Sequence, residues 1–431
     1  SKSGEGEGGR RAEAVLERMG EAGVRPNAHS FNAAIAAWSR SGTRGAAEKA
    51  ESIMKRMEGL YEAGNESLRP NVFTFTSVID GWAKSGEPGS AQRAEILLKL
   101  MEVMYRKGNK STRPNVRAFT AVINAWARSG EKEAGEKAEK LLERMEMLYA
   151  KGDEEVKPNT YTYTAVIDAW ARSWERGAAQ RAEKILKRME SKAKDGDISV
   201  KPNVRTYNCV INAWAKSHEL HAAQKVEAIL SRMEKYNSEG DKDVKPSVVT
   251  YTSAINAWVG SADFGKARKA YSILQNMIDL YKKGDKSVKP NVVPFTSVIN
   301  ACAESSRGKD EVKKEALQIA YASFKELEDS EFGPPNHVTY ATFLKACSRL
   351  MPAPDKRRKV LAAIFKKCCQ QGQVDESVLA QLRNSAPEDL FLSLMGGIRL
   401  VDIDSVEVSD LPPEWTRNVK SSRRRPSGGS R

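Results

Sequence analysis

Histidine and cysteine are scarce in this chain of 431 residues, which holds four of the first and five of the second. His29, His218, His221 and His337 are scattered over segment starts and turns, with no spacing that would converge on a metal or a catalytic base. Cys209, Cys302, Cys347, Cys368 and Cys369 contain no C-x-x-C pair, which argues against zinc and dithiol chemistry. An odd number of thiols in a long chain reads instead as reduced cysteines in a core. No H-x-E with a P-C-x-x-C partner occurs, so the signature of a zinc deaminase is missing. No apolar run approaches the length of a membrane span, and none is expected. Gly260 to Ala267 comes near a phosphate-binding loop, but Ala267 stands where a magnesium-binding hydroxyl is needed. Asp402, Asp404 and Asp410 lack further ligand partners at motif spacing and read as a solvated loop or short strand. No catalytic residue, metal or cofactor is therefore expected. A leading methionine is also absent, and the start at Ser1 reads as a processed or truncated product.

Positive charge is plentiful. Lys and Arg number 70 against 56 Asp and Glu, giving a net charge of +14, and the composition corresponds to a pI near 9.4. Such an excess attracts a polyanion, with nucleic acid the favoured partner. At 40% hydrophobic and 29% charged residues, the chain can bury a long core and still carry extended polar faces.

Repetition dominates the rest. Trp38, Trp82, Trp126, Trp170, Trp214 and Trp258 follow one another at intervals of 44 residues. Pro26-Asn27, Pro70-Asn71, Pro114-Asn115, Pro158-Asn159, Pro202-Asn203, Pro246-Ser247 and Pro290-Asn291 keep the same beat. One supersecondary unit copied head to tail makes a solenoid. In the unit from Val72 to Asn115, Phe75, Val78, Ile79 and Trp82 form the apolar stripe of a first helix. Ala94, Leu97, Leu98, Met101, Met104 and Tyr105 form that of a second. Gly86, Pro88 and Gly89 separate the two, and Gly108-Asn109 ends the pair. The tryptophans read as buried spacers without chemistry of their own.

A polar row accompanies each first stripe: Thr76, Asp80 and Lys84; Thr120, Asn124 and Arg128; Thr164, Asp168 and Arg172; Asn208, Asn212 and Lys216. A small hydrogen-bonding residue at one end and a cation at the other suits a base and a phosphate. A merely solvated face is the competing reading. The Asn after each proline has its own competing reading as a helix N-cap.

The strings Pro202-Asn203-Val204-Arg205-Thr206-Tyr207-Asn208-Cys209-Val210-Ile211-Asn212-Ala213-Trp214-Ala215-Lys216 and Ala182-Glu183-Lys184-Ile185-Leu186-Lys187-Arg188-Met189 resemble pentatricopeptide repeats. The W-x-x-L-G-x-x-Y opening of the related tetratricopeptide repeat is absent. The resemblance covers roughly residues 10 to 371 and implies sequence-specific binding of single-stranded RNA, one base per repeat, on the surface made by first helices. It implies base-reading pairs Asn32 with Asn71, Thr76 with Asn115, Thr120 with Asn159, Thr164 with Asn203, Asn208 with Ser247, Thr252 with Asn291, and Thr296 with Asn336. Under the family's assignments, Thr with Asn resembles an adenine reader, Asn with Ser a cytosine reader, and Asn with Asn a pyrimidine reader. The implied target is 5′-(C/U)AAACAA-3′. Phe73, Arg117, Tyr161, Arg205, Val249 and Val293 fall where relatives stack bases, and Arg40, Lys84, Arg128, Arg172 and Lys216 where they contact phosphate. Gly260 and Glu304 replace that cation in the next two repeats, so the backbone grip should weaken there.

The expected architecture is all-α, a right-handed α-solenoid of stacked antiparallel helix pairs. Residues 1–9 are expected to be a disordered N-terminus, 10–27 a half repeat supplying a second helix only, and 28–336 seven repeats of 44–45 residues. Residues 337–371 read as a degenerate capping repeat, with Ala341 in place of the base-reading residue. Residues 372–415 read as a C-terminal helical segment, and 416–431 as a basic disordered tail. These units exceed the usual family repeat by about nine residues, and the excess, such as Leu60 to Leu68, is expected to project from one edge. The resemblance further implies a monomer in a mitochondrion or plastid, acting in transcript stabilisation, processing or translation with ribosomes or RNA-processing proteins as possible partners. The rivals are a structural ribosomal-RNA-binding component of an organellar ribosome and a protein-binding scaffold.

Overall fold

A computed structural model describes residues 5–217, 219–396 and 406–419. Every described secondary-structure element is helical, and the chain divides into two compact units, Ser1–Ser217 and His218–Arg431. In the first, α1 (Glu5–Glu21) is a lone second helix, followed by the pairs α2/α3 (Ala28–Ser41, Ala46–Glu62), α4/α5 (Val72–Ser85, Ser90–Arg106), α6/α7 (Val116–Ser129, Ala134–Ala150) and α8/α9 (Thr160–Ser173, Ala178–Lys194), then α10 (Val204–Ser217). Consecutive first helices pack side by side, each against its own second helix and against the second helix before it. The second unit continues with α11 (Ala222–Ser238), α12/α13 (Val248–Val259, Lys266–Lys282), α14/α15 (Val292–Ala303, Asp310–Asp329) and α16/α17 (His337–Leu350, Pro354–Gln370). The helices α18 (Glu376–Ser385), α19 (Glu388–Met395) and the short α20 (Pro413–Thr416) follow. No described helix is long and apolar enough to cross a membrane.

Each first helix starts on an Asn or Ser cap, and α2, α4 and α6 stop where Gly42, Gly86 and Gly130 take left-handed φ of 59°, 63° and 67°. Trp174 holds this position after α8 with φ 56°, an uncommon conformation for a bulky side chain. Phe75, Val78, Ile79 and Trp82 are buried together with Ala94, Leu97, Leu98 and Met101, whereas Met104 is only partly covered and Tyr105 is exposed.

The tryptophans are not silent in chemistry. The Trp82 Nε1–H donates to Glu51 Oε2 at 2.9 Å, Trp170 to Glu139 at 2.9 Å and Trp214 to Glu183 at 3.1 Å, each reaching the second helix of the preceding repeat. Trp38 reaches Glu13 of the half repeat at 3.1 Å. A buried indole N–H needs such an acceptor, and a carboxylate in a core needs cations in turn. Arg93 from α5 supplies one, donating through Nε to Glu51 at 2.8 Å, and Lys55 supplies another at 2.9 Å. Trp126 and Trp258 have buried indole nitrogens with no hydrogen-bond partner among the described residues.

Most of the extra residues, such as Glu62 to Gly64, Glu66 and Ser67, stand exposed, but the last of them turns inward. Leu68, Val156, Val200, Val244 and Val288, from the short 3-10 turns that follow the second helices, are buried plugs. The acidic cap of each turn also reaches the basic residue before the previous repeat's proline: Arg113 with Asp153 at 2.8 Å, Lys157 with Asp197 at 3.5 Å, and Lys245 with Asp285 at 2.8 Å. Asn109 makes the neutral version, donating to the Pro70 carbonyl at 3.2 Å. The excess length therefore adds an apolar plug against the helices of its own repeat and, through these polar contacts, a second fastening between repeats.

At the ends, two expectations change. Residues 5–9, expected to be disordered, form the start of α1, where Gly9 lets the Trp38 ring approach closely; residues 1–4 lie outside the described residues. Residues 416–419, assigned to a disordered tail, dock on the last helix pair: Asn418 N donates to Gly372 O and Asn418 Nδ2 to Gln371 O, both at 2.9 Å. Residues 420–431 of that tail, and Asp402 and Asp404, lie outside the described residues.

Burial alone would raise the Glu51 carboxyl, but Arg93 and Lys55 hold it at about 2, below its ordinary 4.5. A carboxylate with a depressed folded pKa stabilises fully above the unfolded pKa and loses that contribution as pH falls towards the folded value. Glu51→Gln should cost roughly 1–3 kcal/mol at pH 7, discounted for the partly solvated partners. Denaturant unfolding of both proteins should show the difference shrinking between pH 4.5 and 2. Val156→Ala should cost about 1–3 kcal/mol, and Asp153→Ala less than about 1 kcal/mol; the reverse order would assign the fastening to the ion pair.

Candidate nucleic-acid interface

Local helix chemistry fixes the residues that follow each proline. Asn71 Oδ1 accepts from the Phe73 and Thr74 amides at 3.0 and 3.1 Å, Asn115 from Arg117 and Ala118 at 3.1 Å each, and Asn203 from Arg205 and Thr206 at 3.0 and 3.1 Å. Asn159, Asn291 and Asn336 cap with Oδ1 in the same way, and Ser247 with its hydroxyl. The capping reading of these residues is therefore realised. It does not compete with ligand contact, because an Asn that caps through oxygen keeps both Nδ2 protons for another partner.

The residues expected to read bases from the first helices lie one turn further on. Asn32, Thr76, Thr120 and Thr164 are buried, while Asn208, Thr252 and Thr296 are half-buried. Phe73, Arg117, Tyr161, Arg205, Val249 and Val293 stand exposed on the first turns. Arg40, Lys84, Arg128, Arg172 and Lys216 stand exposed on the last turns, where a cation also complements the helix dipole.

In the first unit these sets converge on a groove of about 260 Å³, lined by Thr76, Asp80, Arg117, Thr120, Asn159 and Tyr161 among others. Thr120 and Asn159, from one implied pair, line it together with the planar groups of Arg117 and Tyr161. Asn124 Nδ2 steadies the ring by donating to Tyr161 Oη at 3.2 Å. In the following repeat the corresponding planes meet directly, with the Arg205 guanidinium 5.8 Å from the Tyr161 ring centre. Burial raises the Asp80 carboxyl despite the opposing pull of Lys84, Arg117 and Arg128.

The second unit holds a groove of about 450 Å³ at the same phase, lined by Val293, Thr296, Asn336, Val338, Lys345 and Gln381 among others. Val338 lies two residues after Asn336 as Phe73 lies after Asn71, a signal present in the sequence but hidden by the decay of the pattern beyond His337. Glu304, at the cation phase, is covered by Lys345 at 2.6 Å and Arg349 at 2.8 Å. Trp174 also went unremarked; its exposed ring lies 5.5 Å from Lys216 Nζ. Burial pushes the Cys209 thiol up to about 12, which keeps it protonated and unreactive beside Asn208.

These elements define a helical-repeat protein whose first helices carry the exposed chemistry. A model described as the pentatricopeptide repeat domain matches residues 150–217, 195–261 and 239–305, so this part of the chain consists of pentatricopeptide repeats, consistent with a pentatricopeptide repeat protein. None of the curated proteins searched matches it. The family binds RNA, acts in general in organellar RNA metabolism and is mostly found in mitochondria and plastids, and its fold is typically a non-enzymatic scaffold.

Loss of the Tyr161 ring should weaken RNA binding. Tyr161→Ala is expected to cost about 1–3 kcal/mol and Tyr161→Phe less. Titration against an adenine-rich single strand would measure both, and equal affinities for all three proteins would remove the ring from the interface.

Proposed function

We propose that the protein binds single-stranded RNA sequence-specifically through seven modules, reading 5′-(C/U)AAACAA-3′ as a monomer in a mitochondrion or plastid. The observation that supports this most is the groove that Thr120 and Asn159 line together with Arg117 and Tyr161. It brings hydrogen-bonding groups and planar groups to one cleft, and an unstacked base requires both. The repetition of that arrangement at Val293, Thr296, Asn336 and Val338 favours one base per repeat despite the long units. The exposed cations at the ends of α2, α4, α6, α8 and α10 would take the phosphates. Bound RNA would be shielded from nucleases or held single-stranded, and no catalytic step is assigned to the protein.

Selection of the full chain against a random RNA pool tests the reading. It should enrich an adenine-rich heptamer with an internal C. Asn208→Thr should then move the fifth base from C towards A. Enrichment of no common sequence would defeat the pairs; an unchanged fifth base would remove Asn208 from recognition.

A further inference from the structure

The two reading residues of one module stand on different helices, and a hydroxyl joins them. Asn159 Oδ1 accepts from the Thr162 amide at 3.1 Å and from Thr162 Oγ1 at 3.2 Å. Thr162 Oγ1 lies 2.9 Å from Thr120 Oγ1 in the buried contact between α6 and α8. A carboxamide oxygen carries no proton, so the Thr162 hydroxyl donates to it and must accept from Thr120. The same chain runs from Thr164 through Thr206 to Asn203, with links of 2.7 and 3.3 Å. It runs again from Thr296 through Thr339 to Asn336, with links of 2.8 and 3.0 Å. In these two modules the reading threonine also lies 2.7 or 2.9 Å from the carbonyl oxygen four residues earlier, a group that can only accept.

We propose that the threonine three residues past each capping Asn is a specificity-determining positioning residue that sets the polarity with which its module meets a base. The proposal rests on the base-reading function put forward above. With the link made, the single proton of the reading threonine is committed inward, so the hydroxyl offers the groove lone pairs only. The Asn, its oxygen committed to the cap and the link, offers only Nδ2 protons. One acceptor beside one donor matches the adenine edge, where the N6 amine donates and N1 accepts. Guanine presents the reverse order, O6 accepting and N1–H donating, and would set donor against donor and acceptor against acceptor.

Not every Thr–Asn module has the link. Between Thr76 and Asn115 the position is Ala118, and Thr76 Oγ1 is buried with no hydrogen-bond partner among the described residues. Its proton is uncommitted, so this hydroxyl can turn to donate or accept. Between Thr252 and Asn291 the position is Pro294, and Thr252 is held only by the Val248 carbonyl at 2.7 Å. Modules with the same reading pair should therefore differ in stringency, and the second should be the loosest.

The test uses the full chain and its selected RNA, with A→G replacements at the second or third base, read by competition binding. The wild type should lose roughly three- to ten-fold more affinity from the third-base change than from the second. Thr162→Val should remove that excess while Thr162→Ser keeps it, and Ala118→Thr should raise discrimination at the second base. Thermal unfolding of each variant separates lost polarity from lost folding, and the gain expected of Ala118→Thr stands even where Thr162→Val folds poorly. Equal discrimination at both bases, unmoved by Thr162→Val and Ala118→Thr, overturns the linking role while leaving the reading pairs intact. Absence of adenine selection at any module overturns the pairs and the link together.

Discussion

No helix pair in this chain can cover its own apolar stripe, and everything else follows from that constraint. The Phe75, Val78 and Ile79 side of a first helix is closed only when neighbouring helices pack over it, so folding free energy resides in interfaces between copies. Each such interface must also keep register, and apolar packing alone tolerates sliding. The Trp82–Glu51–Arg93 contact supplies the missing direction, because a buried carboxylate that loses either partner becomes costly. Repeats whose indole has no hydrogen-bond partner among the described residues, at Trp126 and Trp258, retain the packing and are the natural places for an array to open first.

The long repeat modifies this plan without replacing it. At the far end of the second helices, five turns bury aliphatic plugs against their own repeats, and three acid–base contacts join neighbours. Two fastenings per interface, one near the tryptophan and one near the proline, restrain rotation as well as separation of adjacent repeats. Under the proposed reading, a surface with one reading position per repeat would benefit from that restraint, since a wobble in one interface would displace every later position.

Much of this was legible in the residues, because a strict period exposes whatever sits on it. Helix pairs, caps, the buried stripe and the candidate reading and cation positions all follow from the phase of Trp82, Asn71, Thr76 and Lys84. What escaped depends on the offset between neighbours. The contact of Thr120 with Thr162 and that of Trp82 with Glu51 join residues 42 and 31 apart, separations that no single helix period predicts. The nine-residue excess misled for another reason: Val156 in a short polar turn looks solvated until α6 and α7 of its own repeat close over it. Docking of Asn418 on the Gln371–Gly372 turn was invisible because its acceptors are backbone carbonyls, which leave no mark in the side-chain pattern.

The residue after each proline caps a helix, and under the proposed reading it also meets a base, a second duty that the first limits. A helix beginning there needs a side-chain oxygen to satisfy its free amides, which restricts the position to Asn, Asp, Ser or Thr at a cost of about 1 kcal/mol for most others. Once that oxygen is committed, each of these residues has a different remainder to offer a ligand: two protons on Asn, a second acceptor oxygen on Asp, one proton on Ser or Thr. Asn71, Asn115, Asn159, Asn203 and Ser247 are thus drawn from a short list by helix chemistry, and distinguished within that list by what capping leaves unused. A recognition alphabet placed on N-caps can be rewritten without unfolding the scaffold, because every letter in it is also an adequate cap.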